Sequence, residues 1–352
     1  MSASLAEMLA APQLLPHALD ETGARILLLQ FEEQTLREAS FLDQRSVGPQ
    51  PRGSWQDLET VLAAIDPKAP DDADYIFHLG HVGSTLIARL LGAVEGVLAL
   101  REPQILRSLA EIESQRHRVE CPWDPALIDA RIAKLRRLLA RRFHPGERVI
   151  VKATSFASQI ATCLLAPDAK ALFLQVSAAS YLQTILAGEN SRKEAVLLAP
   201  KRLVRLEQLL PDMPWRLWSM REGELIALGW LVEMLTLDDA ARQLPGGCVH
   251  RVDFDAFLAE PIGQMLAMAR HVSLPLDEAA AQRLVEGPLM TRYSKAPEHS
   301  YSPQLRHDLQ RQAAQEHRAA IAQALTWLEA GAARYPRIAR ILEPDSDHVQ
   351  TH

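Results

Sequence analysis

Gly80, Gly83, Ser84, Thr85 and a histidine, His81, share one turn of this chain. The stretch YIFHLGHVGSTLIARLLG, Tyr75–Gly92, begins as an apolar run with strand character and ends with Leu86, Ile87, Leu90 and Leu91 on one helical face. Between them HLGHVGST holds Gly80, His81, Val82, Gly83, Ser84 and Thr85 where a strand hands over to a helix. Such a turn exposes backbone N–H groups at a helix N-terminus, and those donors attract an anion together with the helix dipole. Ser84 and Thr85 add hydroxyl donors, and Gly80 and Gly83 have no Cβ to keep a ligand from the backbone. An imidazolium at His81 suits a phosphate, because neighbouring phosphates favour its charged form.

A nucleotide-hydrolysing loop reads GxxxxGK followed by Ser or Thr. Here His78 falls on the first glycine, Gly83 on the second, Ser84 on the lysine and Thr85 on the hydroxyl. Phosphoryl transfer uses that lysine together with a magnesium-binding aspartate at another strand end. The lysine is missing, and Asp253 in CVHRVDFD runs straight into helical sequence. Two other strand ends carry chemistry. Glu102, in LREPQIL, is a carboxylate that can act as a general base. Lys152 closes the apolar run RVIVKA, where ligand sites of α/β sheets lie, and is costly to bury without an anion. Thr154 and Ser155 behind it read as helix caps. The 12 histidines show no HExxH or paired spacing, so no metal is expected. Cys121, Cys163 and Cys248 form no CxxC pair and read as reduced thiols of a cytoplasmic protein.

These residues need a scaffold that gathers strand ends. After Asp72 short apolar runs alternate with long amphipathic stretches: YIFHL, VLAL, RVIVKA, ALFLQVS and CVHRVDF. That alternation predicts βαβ units and a buried parallel sheet in three layers with its helices. Helices are expected over 124–142, 193–210, 222–243 and 302–330. Before Asp72 the chain reads as a helix, a polar turn and the run ARILLLQF, then a helical EEQTLREASFLDQR. A helix over WQDLETVLAAI follows, with Ser54 as its cap. The expected organisation is an extension over 1–72, an α/β domain over 73–342 and a mobile tail over 343–352.

Formal net charge is −6 with a pI near 6.1, which speaks against general nucleic-acid binding. No apolar run approaches the roughly 18 residues a membrane span needs, and the N-terminus lacks the pattern of a secretory signal. The basic stretch RIAKLRRLLARRF and the tryptophans of MPWRLW read as a solvated helix face and as packing.

HVGSTLIARLL resembles the loop of the sulfotransferases that use 3′-phosphoadenosine 5′-phosphosulfate (PAPS). That loop reads roughly Lys/Arg-Ser-Gly-Ser/Thr-Thr between a strand and a helix. Gly83, Ser84 and Thr85 match it; His81 stands at the basic position and Val82 at the serine. Other windows resemble the same family, bacterial members included, in the right order from about residue 74 to 306: LREPQIL, RVIVKATSFAS, ALFLQVSAASYLQTILAG, CVHRVDFDAFLAEP and RYSKAPEHSYS. The resemblance implies a P-loop-type sheet and metal-independent transfer of a sulfonate from PAPS to a hydroxyl or amine of an unnamed acceptor. The product would be 3′,5′-adenosine bisphosphate. It implies Glu102 as general base, with His81, Lys152 and the loop Gly80–Thr85 holding the donor. The family's 3′-phosphate serine falls on Thr184, while its arginine falls on Val176 or Ser177. Arg192, Lys193, Arg292 or Lys295 can supply that charge instead. A P-loop kinase and a non-catalytic binding protein of the same fold are the alternatives.

Overall fold

The computed structural model describes residues 4–292 and 302–343. These fall into two compact units, one of 4–174 with 240–292 and one of 175–239 with 302–343.

The first unit contains two sheets. Strands β1 (Leu14–Leu19), β2 (Arg25–Gln30) and β3 (Arg52–Asp57) form an antiparallel meander in the order β1-β2-β3. Then come β4 (Asp74–His78), β5 (Val97–Arg101), β6 (Arg148–Lys152), β7 (Ala171–Gln175) and β8 (Val249–Asp253), in the order β5-β6-β4-β7-β8. The β5–β6, β6–β4 and β4–β7 pairs are parallel. Every residue of β4 and β5 is buried, which is why their sequences are nearly unbroken apolar runs. Each of the five runs expected as a strand is one, and the α/β class with a helix-flanked parallel sheet stands as expected.

The chain leaves β4 for β5 on one side, returns through β6, and crosses to β7 on the other side. Helices after β4 and β6 therefore part in opposite directions. That reversal opens a crevice at the carboxyl ends of these two strands. Both ends carry residues singled out above: the turn 79–83 after β4 and Lys152 at the end of β6.

Several elements differ from expectation for identifiable reasons. LLPHAL pairs as β1, and Pro16 is tolerated because β1 is an edge strand, with a register shift between Pro16 and Ala18. Trp55 lies in β3, and the next helix starts at Leu58. Asp57, not Ser54, caps it by accepting the Thr60 N–H at 2.8 Å. In EEQTLREASFLDQR the α-helix covers only Glu33–Glu38, and a 3-10 turn follows at Gln44–Ser46, because residues 39–46 are drawn across the end of β5 instead. The helix expected over 124–142 is Ile128–Arg137 behind a 3-10 turn, Pro125–Leu127. The chain turns off so that Arg141 can donate to the carbonyls of Leu9, Ala11, Leu14 and Leu138, and its burial pulls its pKa down to about 9.

The described part of the second unit is helical, with helices Ala178–Leu186, Glu189–Leu209, Pro303–Glu316, Arg318–Arg334 and Pro336–Leu342, and most of Glu222–Gln243. The helix expected over 193–210 starts four residues earlier, at Glu189. The helix expected over 302–330 is two, parted at His317 with no glycine or proline to mark the break. Trp230 Nε1 donates to Val176 O at 2.9 Å, and Arg337 and Arg340 pair with Asp239 and Asp238.

Candidate active site

Three residues of the turn after β4 have left-handed backbone. Gly80 has φ 86°, His81 56° and Gly83 65°. Glycine adopts such angles freely, but a histidine there costs on the order of 1 kcal/mol. Gly83 is also sterically obligatory, since a Cβ built on it falls within the Phe254 ring that closes over the turn. Gly80 has room beside Ser155, at 3.5 Å.

Gly83 is the N-cap of the helix Ser84–Gly92 and gives it no side-chain cap bond. The helix's first amides thus lack both an intrahelical partner and a capping side chain. Ser84 and Thr85 are 4% and 2% exposed, so the helix starts inside the protein. Among the described residues, Thr85 Oγ1 is buried with no hydrogen-bond partner. A buried unpaired hydroxyl costs about 1–3 kcal/mol, and an anion in the turn would satisfy it. The residues present therefore fit a phosphate group.

Glu102 leaves the end of β5 with φ 51°, a second non-glycine residue in left-handed backbone. Its N–H donates to Lys152 O at 2.7 Å, and Lys152 Nζ donates to Glu102 Oε1. The Lys152 side chain is 1% exposed and that of Glu102 is 17% exposed. The two expected catalytic side chains are therefore one ion pair, with the lysine enclosed and the carboxylate at the opening. His81 is half-buried in the turn.

Three features of this region were not foreseen. The first is His78, at the end of β4. Its Nδ1 accepts the Gly80 N–H at 2.9 Å, so the ring proton sits on Nε2, which donates to Ala153 O at 2.9 Å. The second is the strap 37–46. Arg101 donates from its guanidinium to Ala39 O at 2.5 Å and to Arg37 O, while Leu42 N donates to Arg101 O at 2.7 Å. Burial and then the nearby Arg89 lower the Arg101 pKa to about 10. Arg89, on the loop helix, donates to Ser40 Oγ at 2.7 Å. This strap sets Phe41 against the site: Lys152 Nζ lies 5.8 Å from its ring centroid, and the Arg45 guanidinium stacks on the ring at 3.4 Å. No local signal in the sequence joins Phe41 to a lysine more than a hundred positions away. The third is Phe254, which follows Asp253 directly. Asp253 accepts the Ala256 N–H at 2.9 Å as a helix cap.

The remaining candidates have separate settings. Thr154 makes no side-chain cap bond, contrary to its expected role. Arg292 is exposed at the end of the turn Pro288–Met290, which packs on the loop helix. In the second unit, Thr184 donates to Ser180 O at 2.8 Å and accepts from Gln310 Nε2 at 2.9 Å. Arg192 pairs with Glu222 at 2.8 Å and Lys193 with Glu189 at 2.6 Å. Lys295 and the residues beyond Glu343 lie outside the described residues. Among the described residues no group of three or more His, Cys, Asp or Glu is placed to hold a metal ion. None of their helices is long and apolar enough to cross a membrane.

No family model and no curated protein matches this chain. Among solved structures, it is similar to the sulfotransferase domain from the curacin biosynthetic pathway, with 14% identity, 67% of this chain and 85% of that chain covered, and a TM-score of 0.42. It is also similar to a sulfotransferase from Mycobacterium tuberculosis, with 15% identity, 65% and 75% covered, and a TM-score of 0.39. A third is a sulfotransferase from Mycobacterium avium, with 11% identity, 70% and 77% covered, and a TM-score of 0.36.

Proposed function

We propose that the protein transfers a sulfonate from PAPS to a hydroxyl or amine acceptor, without a metal. The observation that carries this reading is the juxtaposition at the crevice. An uncapped helix start with a buried, unpartnered Thr85 hydroxyl is joined through His78 to the strand end that carries the Lys152–Glu102 pair. When bound, PAPS supplies an activated sulfonate on a phosphate leaving group. The amides that open the loop helix, with Ser84 and Thr85, would hold that phosphate, and His81 would donate to the oxygen on which charge develops. Lys152 binds Oε1 of Glu102, and Oε2 would take the acceptor's proton. Glu102 would accept that proton while the acceptor displaces the phosphate from the sulfonate, and the loop amides and His81 would hold the departing phosphate. The cytoplasm is the proposed location. Arg292, Lys295, Arg192 or Lys193 would supply the 3′-phosphate charge.

Calorimetry with 3′,5′-adenosine bisphosphate and with Mg·ATP tests the reading. Binding of the bisphosphate without metal is the expected result. Binding of Mg·ATP alone would turn it toward a kinase, and binding of neither toward a non-catalytic member of the fold. His81→Ala should abolish transfer at nearly unchanged melting temperature; full activity would remove His81 from the mechanism.

A further inference from the structure

The histidine that occupies the first-glycine position of the loop is 4% exposed and makes two directed hydrogen bonds. The Nδ1 bond turns the Gly80 amide inward, directly before the left-handed residue His81. The Nε2 bond reaches Ala153 O, the residue after Lys152. Ala153 is held from its other side as well, because its N–H donates to Ile76 O of β4 at 2.9 Å. From this geometry we infer that His78 is a positioning residue. It withdraws the first loop amide from the ligand, fixes the sharp turn at Gly80, and pins the loop's entry to the strand end that bears the Lys152–Glu102 pair.

The inference rests on the function proposed above, in that the thing positioned is a phosphate loop. Two near-isosteric replacements separate the two bonds. In His78→Asn, Oδ1 stands where Nδ1 was and can accept the Gly80 N–H, while the link to Ala153 is lost. In His78→Gln, the amide nitrogen reaches the place of Nε2 and can donate to Ala153 O, while the Gly80 N–H loses its acceptor.

The experiment measures 3′,5′-adenosine bisphosphate binding by calorimetry and exchange of the Gly80 amide by NMR, in the full chain and both variants. The expected result is binding within about threefold of the unmodified protein for His78→Asn, and about ten- to a hundredfold weaker for His78→Gln. Gly80 exchange should stay slow in the first and become fast in the second. Equal affinity and equal exchange in both variants would overturn the inference, as would an equal loss in both, which is what a merely space-filling histidine gives. If the unmodified protein does not bind the bisphosphate, the proposed donor falls. The exchange comparison then still decides on the brace: an Asn/Gln split keeps it, and the absence of a split removes it.

Discussion

At the amino end of the five-stranded sheet Asp74 is wholly buried; it accepts from Arg148 Nη2 at 2.5 Å and from Lys170 N at 2.8 Å. At the carboxyl end Lys152 is buried as deeply and donates to Glu102. In residue types the two pairs are mirror images, a carboxylate and a cation shared between neighbouring strands. Their surroundings differ. The amino-end pair spans β4 and β6 in regular backbone. The carboxyl-end pair has Glu102 in left-handed backbone and is linked through Ala153 and His78 to a turn with one more strained position, His81, an uncapped helix and an unpaired hydroxyl. A buried charge alone therefore does not mark a site here. Left-handed backbone beside an uncapped helix start is what sets the carboxyl end apart, since buried atoms without a hydrogen bond, Tyr75 Oη and Arg148 Nε, occur at the amino end too.

Gly83→Ala should separate the two ends most. It adds a Cβ into the Phe254 ring at φ 65°, and should cost about 3 kcal/mol or more in urea unfolding and remove anion binding. Gly96→Ala, before β5 at the amino end, meets nothing within 4 Å at φ 75° and should cost only about 1 kcal/mol. Equal losses would mean that the carboxyl-end turn is no more constrained than the other.

Next in size is Glu102→Gln, which removes the carboxylate charge paired with the enclosed Lys152 ammonium. It should lower stability by about 2–3 kcal/mol and eliminate transfer, whatever the acceptor. Unimpaired transfer would take the general base elsewhere.

At the opposite end, Asp74→Asn probes linkage. Burial, outweighing the bonds from Lys170 and Arg148, raises the Asp74 pKa above 3.8. A raised carboxylate favours the protonated fold, so its stabilising contribution is full below 3.8 and is lost as pH rises through the folded value. The stability advantage of the native protein over Asp74→Asn should therefore shrink over the pH range just above 3.8. Urea midpoints across that range check it, and a widening gap would contradict the sign.

The smallest effect is Thr85→Val. Loss of an unpartnered buried hydroxyl should leave stability unchanged or raise it by up to about 1 kcal/mol, while anion binding weakens. A fall in both would show that the hydroxyl is already satisfied within the fold.

The sheet was legible in the sequence because buried parallel strands leave apolar runs that need no context. The glycine turn between β4 and its helix was legible for a similar reason: Gly83 and the hydroxyls after it are local sequence. Glu102 and Lys152 were each visible at a strand end, but not as a pair, since strand order decides which ends are neighbours. His78 was read as a misfit to a glycine, because its meaning lies in the Gly80 amide and the Ala153 carbonyl. Trp55 and Ser54 were misplaced because the helical spacing of WQDLETVLAAI also fits a strand that ends at the capping Asp57. Phe41 was out of reach, as its partner Lys152 is distant in sequence and no periodicity links them.

The strap 37–46 has a consequence for how the protein is made. Its partners are the end of β5, the loop helix and Lys152 of β6, all later in the chain. Residues that leave the ribosome early must therefore wait for partners 49 to 64 positions later, Arg89 and Arg101, and for Lys152 later still. Until then the Arg101 guanidinium lacks the Ala39 and Arg37 carbonyls, and Lys152 lacks the Phe41 ring. Completion of the crevice is thus a late, long-range event in folding, and a fragment started near Asp72 would lack that side of the crevice.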